Sequence, residues 1–112
     1  MSHLFGTLSG IAIEKTETLR PMMYQVCEDL KLTVVNEAFH QFEPIGTTGV
    51  LVLSESHFSA HTYPETSKVY VDLFCCSKDF KPDKAAEVIK RLFKTDKFDW
   101  SYVQRFYDTI VE

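Results

Sequence analysis

The sequence has few of the features that mark a membrane, secreted or nucleic-acid-binding protein. No apolar run approaches the roughly twenty residues that a transmembrane helix needs, and the start MSHLFGTLSG lacks the basic segment and apolar stretch of a secretory signal. Twelve basic and sixteen acidic residues give a net charge of −4 without a basic cluster. Nucleic-acid binding requires such a cluster. We therefore expect no nucleic-acid partner and no membrane association.

Cysteine is also scarce, with only Cys27, Cys75 and Cys76 in the chain. An odd number without framework spacing argues against a disulfide scaffold. Cys75 and Cys76 are adjacent and would point to opposite faces of a strand, so they are poor partners for each other. We expect reduced thiols in a cytoplasmic protein.

Glycine and proline occur four times each and form no linker, and no repeat is visible. The apolar fraction of 45% and the charged fraction of 25% are those of an ordinary folded chain. We therefore expect a single domain over residues 1–112, because this length allows one hydrophobic core but not two.

The hydrophobic pattern predicts an α+β protein. Strand-like patterns cover four segments, at 3–13, 33–42, 69–76 and 100–107. Helical patterns cover two segments, at 16–30 and 81–93. A further long extended stretch covers 50–62. The order β-α-β-β-α-β predicts a two-layer sandwich, in which an antiparallel four-stranded sheet carries both helices on one face.

The other face of this sheet would carry aromatic side chains. Phe42, Tyr70 and Phe74 are candidates for it, which is more aromatic surface than a monomer usually leaves in water. We therefore expect a homodimer.

A group of proton-handling side chains comes directly after the apolar run 49–53. Within eight residues the chain places six of them: Glu55, Ser56, His57, Ser59, His61 and Thr62. Strand alternation puts Phe58 and Ala60 on the core face, and it puts His57, Ser59, His61 and Tyr63 on the opposite face. A polar row of this kind is most often solvated surface, so composition alone does not make it a site.

Two functional alternatives are open for this segment. His57 and His61 lie on one side of a strand and form a possible pair of metal ligands, although no further cluster with ligand spacing accompanies them. Ser56 beside His57 suggests a nucleophile and a base, but the glycine-flanked turn of a hydrolase elbow is missing.

The stretch ESHFSAHTYPE, with VDLFCC after it, closely resembles the short prokaryotic form of the S-adenosylmethionine decarboxylase proenzyme family. The matching positions are Glu55, Ser56, His57, His61, Thr62, Tyr63, Pro64, Glu65, Val71, Asp72, Phe74 and Cys76. FEPIGTTGVLVLSES upstream also resembles the family's approach to its cleavage point. Many residues at fixed spacing are stronger evidence than one short motif.

The resemblance implies a zymogen that cleaves itself autocatalytically between Glu55 and Ser56, into a β chain of 1–55 and an α chain of 56–112. Ser56 would become a pyruvoyl group, which forms a Schiff base with the substrate. His61 would transfer protons during processing, and Thr48 would assist with its hydroxyl group. Cys76 would be the proton donor in the mature lyase. The resemblance implies neither a metal nor pyridoxal phosphate.

The resemblance also implies a substrate site and a place in polyamine biosynthesis, as the decarboxylase that supplies spermidine synthesis. Phe42 and Tyr63 match the aromatic pair around the adenine of S-adenosylmethionine, and Glu65 matches a polar contact to the nucleoside. The chain departs from the family where Tyr63 replaces the usual Trp and where Thr-Ser-Lys comes after Glu65. A pyruvoyl-dependent decarboxylase of L-ornithine or L-arginine on the same scaffold, or a non-catalytic binding homologue, are the alternatives.

Overall fold

The computed structural model describes residues 1–105 of the chain. Six strands, two helices and one short 3-10 turn are arranged along the chain in the order β1 (Ser2–Ser9), α1 (Thr16–Asp29), β2 (Val34–Gln41), β3 (Thr47–Leu53), β4 (Ser56–Tyr63), the turn Pro64–Thr66, β5 (Lys68–Cys75), α2 (Pro82–Phe93) and β6 (Phe98–Gln104). The strands form one sheet in the spatial order β2-β3-β4-β5-β1-β6, and every neighbouring pair is antiparallel.

The α+β class is confirmed, but the predicted four-stranded sheet is wrong. The sheet has six strands because the extended stretch 50–62 is a hairpin of two strands, β3 and β4. The chain reverses at Ser54 and Glu55, a turn with none of the glycine, proline or asparagine signals that usually reveal a hairpin. Residues 50–62 therefore read as one continuous extended segment in the sequence.

Two other strand limits also differ from the predictions. β1 stops at Ser9, because Gly10 takes a positive φ of 81° and the amides of Gly10 and Ile11 bond to the carbonyl of Ser67. At the other end of the chain, β6 ends at Gln104. Part of the last predicted strand, including Tyr107, lies outside the described residues.

Both helices pack on one face of the sheet, as predicted. Helix α1 buries Leu19, Met23, Val26 and Cys27 against it. Helix α2 begins at Pro82, whose missing N–H costs nothing in a first turn, and has Asp83 near the positive end of the helix dipole. The remaining core comes from alternate strand residues, among them Leu4, Leu8, Leu51, Phe58, Val69, Val71 and Leu73.

The opposite side of the sheet, which we call the open face, is not covered by either helix. Phe42 and Tyr70 are 40% and 41% exposed there, and Phe74 is half-buried. Within residues 1–105, neither helix has the length and apolar character needed to cross a bilayer.

Candidate functional site

The hairpin turn between β3 and β4 is tied to the start of β2 through two hydrogen bonds. The amide of Ser54 donates to the carbonyl of Thr33 over 2.9 Å. The amide of Thr33 donates in return to Oε1 of Glu55 over 3.1 Å. The segment just before Ser56 is therefore held by contacts with the amino-terminal half of the chain.

Ser56 has an unusual backbone conformation. Its φ is +149°, a value that side-chain-bearing residues rarely adopt. Such conformations cost about 1–3 kcal/mol and persist where the surrounding structure enforces them. The peptide between Glu55 and Ser56 therefore carries strain that its cleavage would release.

The carbonyl of Glu55 is polarised by a hydrogen bond from the end of β5, the strand next to β4 in the sheet. The amide of Cys76 donates to this oxygen over 3.0 Å. A nucleophile that attacks this carbonyl carbon would place negative charge on the same oxygen. A preorganised backbone donor stabilises such a charge, as in an oxyanion hole.

The three cysteines differ sharply in environment, and all three are free thiols. Burial, with a contribution from the charge of Glu55, raises the pKa of Cys27 to about 12. Burial also raises the pKa of Cys75, which faces the core and is 0% exposed. Cys76 lies just after the end of β5 and is exposed, so it is the thiol that a bound molecule can reach.

A second group of predicted residues meets on the open face. Nδ1 of His61 and Oγ1 of Thr48 are hydrogen-bonded at 2.5 Å, because the two residues are direct partners across β3 and β4. The ring of Tyr63 lies 4.7 Å from the His61 ring, and the ring of Phe42 lies 5.8 Å from it. A hydroxyl–imidazole pair is thus enclosed by aromatic side chains, an arrangement suited to moving a proton beside a flat ligand.

A cavity of about 300 Å³ adjoins this pair. It is lined by the predicted substrate residues together with the loop that joins β2 and β3, namely Phe42, Glu43, Pro44, Ile45, Gly46, His61, Thr62, Tyr63 and Glu65. Its volume is at the lower end of the range for small-molecule sites. Aromatic rings together with the carboxylates of Glu43 and Glu65 in the lining suit a ligand with a flat ring and hydroxyl groups.

Within one chain the two groups do not meet. Ser56 and His61 are five residues apart on β4, which corresponds to about 16 Å along a strand. Because side chains alternate along a strand, two residues an odd number of positions apart lie on opposite faces. Ser56 is paired with the buried Cys75, whereas His61 is paired with the exposed Tyr70. The structure brings Glu55, Ser56 and Cys76 together at one end of the hairpin and the His61 group at the other.

The alternative of a metal site at His57 and His61 fits this geometry poorly. The two residues share a face but are four residues apart on an extended strand, about 13 Å. That separation is too large for two ligands of one ion, whose metal–nitrogen bonds are near 2 Å. No group of three or more histidine, cysteine or acidic side chains in residues 1–105 could hold a metal ion.

Sequence reasoning missed three parts of this site. The Cys76 amide was not predicted because a backbone hydrogen bond between distant residues leaves no mark in a sequence. Glu43 was missed because the loop after β2 has no pattern that reveals a cavity wall. Strand alternation placed Tyr70 on the open face, together with Phe74. It did not show that Tyr70 lies next to His61, because that depends on the pairing of β4 with β5.

Comparison with known proteins identifies the relatives of this chain. The family model described as S-adenosylmethionine decarboxylase matches residues 2–106. A proenzyme of that name from Thermosipho melanesiensis is 38% identical over 85 residues, which are 76% of this chain and 65% of that protein. Another from Archaeoglobus fulgidus is 34% identical over 99 residues, covering 86% of this chain and 88% of the relative.

A solved structure has the same fold. The crystal structure of the adenosylmethionine decarboxylase from Aquifex aeolicus superposes with a TM-score of 0.87 at 27% sequence identity. The superposition covers 99% of this chain and 94% of that one. The six-stranded sheet with two helices is therefore the architecture of a protein with that activity.

Proposed function

The chain belongs to the S-adenosylmethionine decarboxylase family, whose members are pyruvoyl-dependent lyases made as proenzymes, and we propose that it cleaves itself at Ser56 and then decarboxylates S-adenosylmethionine. One observation carries the proposal. The strained Ser56 comes directly after a carbonyl that the Cys76 amide already polarises, inside the sequence motif of the family.

The groups that react in self-cleavage come from the polypeptide itself and from water. Oγ of Ser56 attacks the carbonyl carbon of Glu55, and the peptide nitrogen leaves, so that the amide becomes an ester. Loss of the Ser56 α-proton then expels the Glu55 carboxylate and leaves a dehydroalanine. Water converts this residue to a keto-acyl terminus with release of ammonia. The Cys76 amide stabilises the oxyanion of the first step.

Thr48 and His61 carry out the proton transfers in these reaction steps. A serine hydroxyl is a weak nucleophile at neutral pH, so a base must accept its proton and a second transfer must remove the α-proton. The imidazole of His61 is oriented for this by its hydrogen bond to Thr48. A neutral imidazole has one ring nitrogen that accepts a hydrogen bond and one that donates, so it can take up a proton and give one back.

The residues around Ser56 also fit the pyruvoyl group that these steps create. This group supplies a ketone that binds the substrate amine and accepts the electron pair released with carbon dioxide. The exposed thiol of Cys76 lies at the hairpin end beside it and returns a proton to the substrate carbon.

Cys76→Ala should therefore separate processing from turnover. The backbone N–H at position 76 survives this substitution, so we expect cleavage at 55/56 to be largely retained. Turnover should fall by about 10²-fold or more, the usual contribution of a positioned proton donor. Cys75→Ala is the matched control, since the buried thiol has no such role, and it should be cut and active. A Cys76→Ala enzyme with full turnover would remove Cys76 from the reaction.

The active unit is a homodimer in this proposal. One chain leaves Ser56 and His61 about 16 Å apart on opposite faces of β4, so a complete processing site needs a second copy. We expect that copy to pack against the open face, with its His61 reaching the Glu55–Ser56 peptide at the hairpin turn. It would also cover the exposed rings of Phe42 and Tyr70.

The cavity beside His61 is the binding site for the nucleoside part of the substrate. The base stacks on the rings of Phe42 and Tyr63, and the carboxylate of Glu65 accepts hydrogen bonds from the ribose hydroxyls. The product, decarboxylated S-adenosylmethionine, donates aminopropyl groups in spermidine synthesis. A cytoplasmic location is part of the proposal and agrees with three free thiols.

Release of carbon dioxide from three substrates tests the substrate assignment. We expect the processed protein to act on S-adenosylmethionine and to leave L-ornithine and L-arginine unchanged, since neither amino acid has a ring to occupy the aromatic cavity. Ser56→Ala protein provides the blank. Release from ornithine or arginine at a higher kcat/KM than from S-adenosylmethionine would contradict the assignment while leaving the processing chemistry intact.

A further inference from the structure

The aromatic wall of the cavity continues beyond the residues that line it. The ring of Tyr70 meets the ring of Tyr63 at a centroid distance of 5.5 Å and an angle of 83°. This edge-to-face geometry is a favoured arrangement of two aromatic rings. The side chain of Tyr63 lines the cavity and is 47% exposed, and the ring of Tyr70 packs against its ring.

The fold does not need the Tyr70 ring for its core. Tyr70 lies on β5 between the buried residues Val69 and Val71, so its side chain is on the open face. It is the direct partner of His61 across β4 and β5. Its side chain is 41% exposed, so it adds little to the hydrophobic core.

We propose that Tyr70 is a substrate-positioning residue, which holds the Tyr63 ring in the orientation that stacks on the purine of the substrate and extends the apolar wall behind it. This inference rests on the proposed function, because it takes a purine nucleoside as the ligand. An isolated, half-exposed phenol can rotate about two side-chain bonds. A perpendicular neighbour limits that rotation and so lowers the entropy lost when a base stacks on it.

Ligand binding to the processed enzyme tests this role. The probe is 5′-methylthioadenosine, which has the nucleoside but no carboxylate to decarboxylate, and titration calorimetry measures its Kd. We expect Tyr70→Ala to raise this Kd by about three- to tenfold, the range expected for an aromatic pair. Tyr70→Phe keeps the ring and should bind as the unaltered enzyme does. In turnover, Tyr70→Ala should raise KM for S-adenosylmethionine by a similar factor at nearly constant kcat.

A compensating variant separates positioning from a general disturbance of the open face. Tyr63→Trp supplies a larger ring with more surface of its own, so the Tyr63→Trp/Tyr70→Ala protein should recover most of the lost affinity. Weakened dimer formation or folding in Tyr70→Ala would not be repaired by a larger ring at position 63. An unchanged Kd in Tyr70→Ala, an equal loss in Tyr70→Phe, or no recovery in the double variant would overturn the inference.

Failure of this inference is distinguishable from failure of the proposed function. If the unaltered chain is cut and decarboxylates S-adenosylmethionine while Tyr70→Ala binds the probe normally, the function stands and only the role of Tyr70 is wrong. If the unaltered chain is cut but does not bind the probe, the nucleoside substrate is wrong and the role of Tyr70 falls with it.

Discussion

Ser56→Ala should give a single uncut chain with no decarboxylase activity. The substitution removes the nucleophile of the ester-forming step and, with it, the leaving oxygen whose elimination creates the dehydroalanine. The loss should therefore be complete rather than graded. Electrophoresis and intact-mass analysis after prolonged incubation measure the cleavage, and carbon dioxide release measures the activity.

Ser59→Ala is the matched control for that experiment. Ser59 lies on the same strand, is paired with Val50 and Asp72 on the open face, and is three residues beyond Ser56. Removal of its hydroxyl group should leave cleavage and turnover near normal. If Ser56→Ala protein were cut between residues 55 and 56 and released carbon dioxide, the assignment of Ser56 would be wrong.

Two inactive variants should restore cleavage when they share a dimer. Ser56→Ala protein has an intact His61 but no nucleophile, and His61→Ala protein has the nucleophile but no imidazole. Each alone should remain uncut. If the site is built from two chains, the His61 of one copy serves the Ser56 of the other, because one chain holds them about 16 Å apart. In a mixed dimer the His61→Ala chain should be cut.

Co-expression with two different affinity tags isolates the mixed dimer, and intact-mass analysis identifies the chain that is cut. Separately purified variants, mixed after folding, show how much cleavage depends on exchange of subunits. A purified mixed dimer in which both chains stay whole would argue that His61 acts within its own chain. Cleavage of an unaltered protein shown to be monomeric would argue against the dimer altogether.

The sequence predicted the parts of this protein that depend on local alternation. The faces of β4 are an example: Phe58 and Ala60 are 0% and 1% exposed against the helices, whereas His57 is exposed on the open face. Helix α2 was predicted within one residue, because Pro82 marks its start and the apolar spacing continues to Phe93.

The parts that failed depend on contacts between distant segments. The turn at Ser54 and Glu55 is held by Thr33, a residue more than twenty positions earlier, rather than by turn-forming residues of its own. The strand count was wrong for this reason. The separation of Ser56 from His61, in contrast, follows from the extended stretch that the sequence predicts over 50–62.

Intact-mass analysis of the unaltered protein over time tests the central claim most directly. The account predicts two products, residues 1–55 with an ordinary carboxyl terminus and residues 56–112 with a terminus lighter than serine by one ammonia. The second product should resist sequencing from its amino end and should react with a carbonyl reagent. A chain that remains whole after prolonged warming, or a 56–112 fragment that begins with an intact serine, would contradict the account.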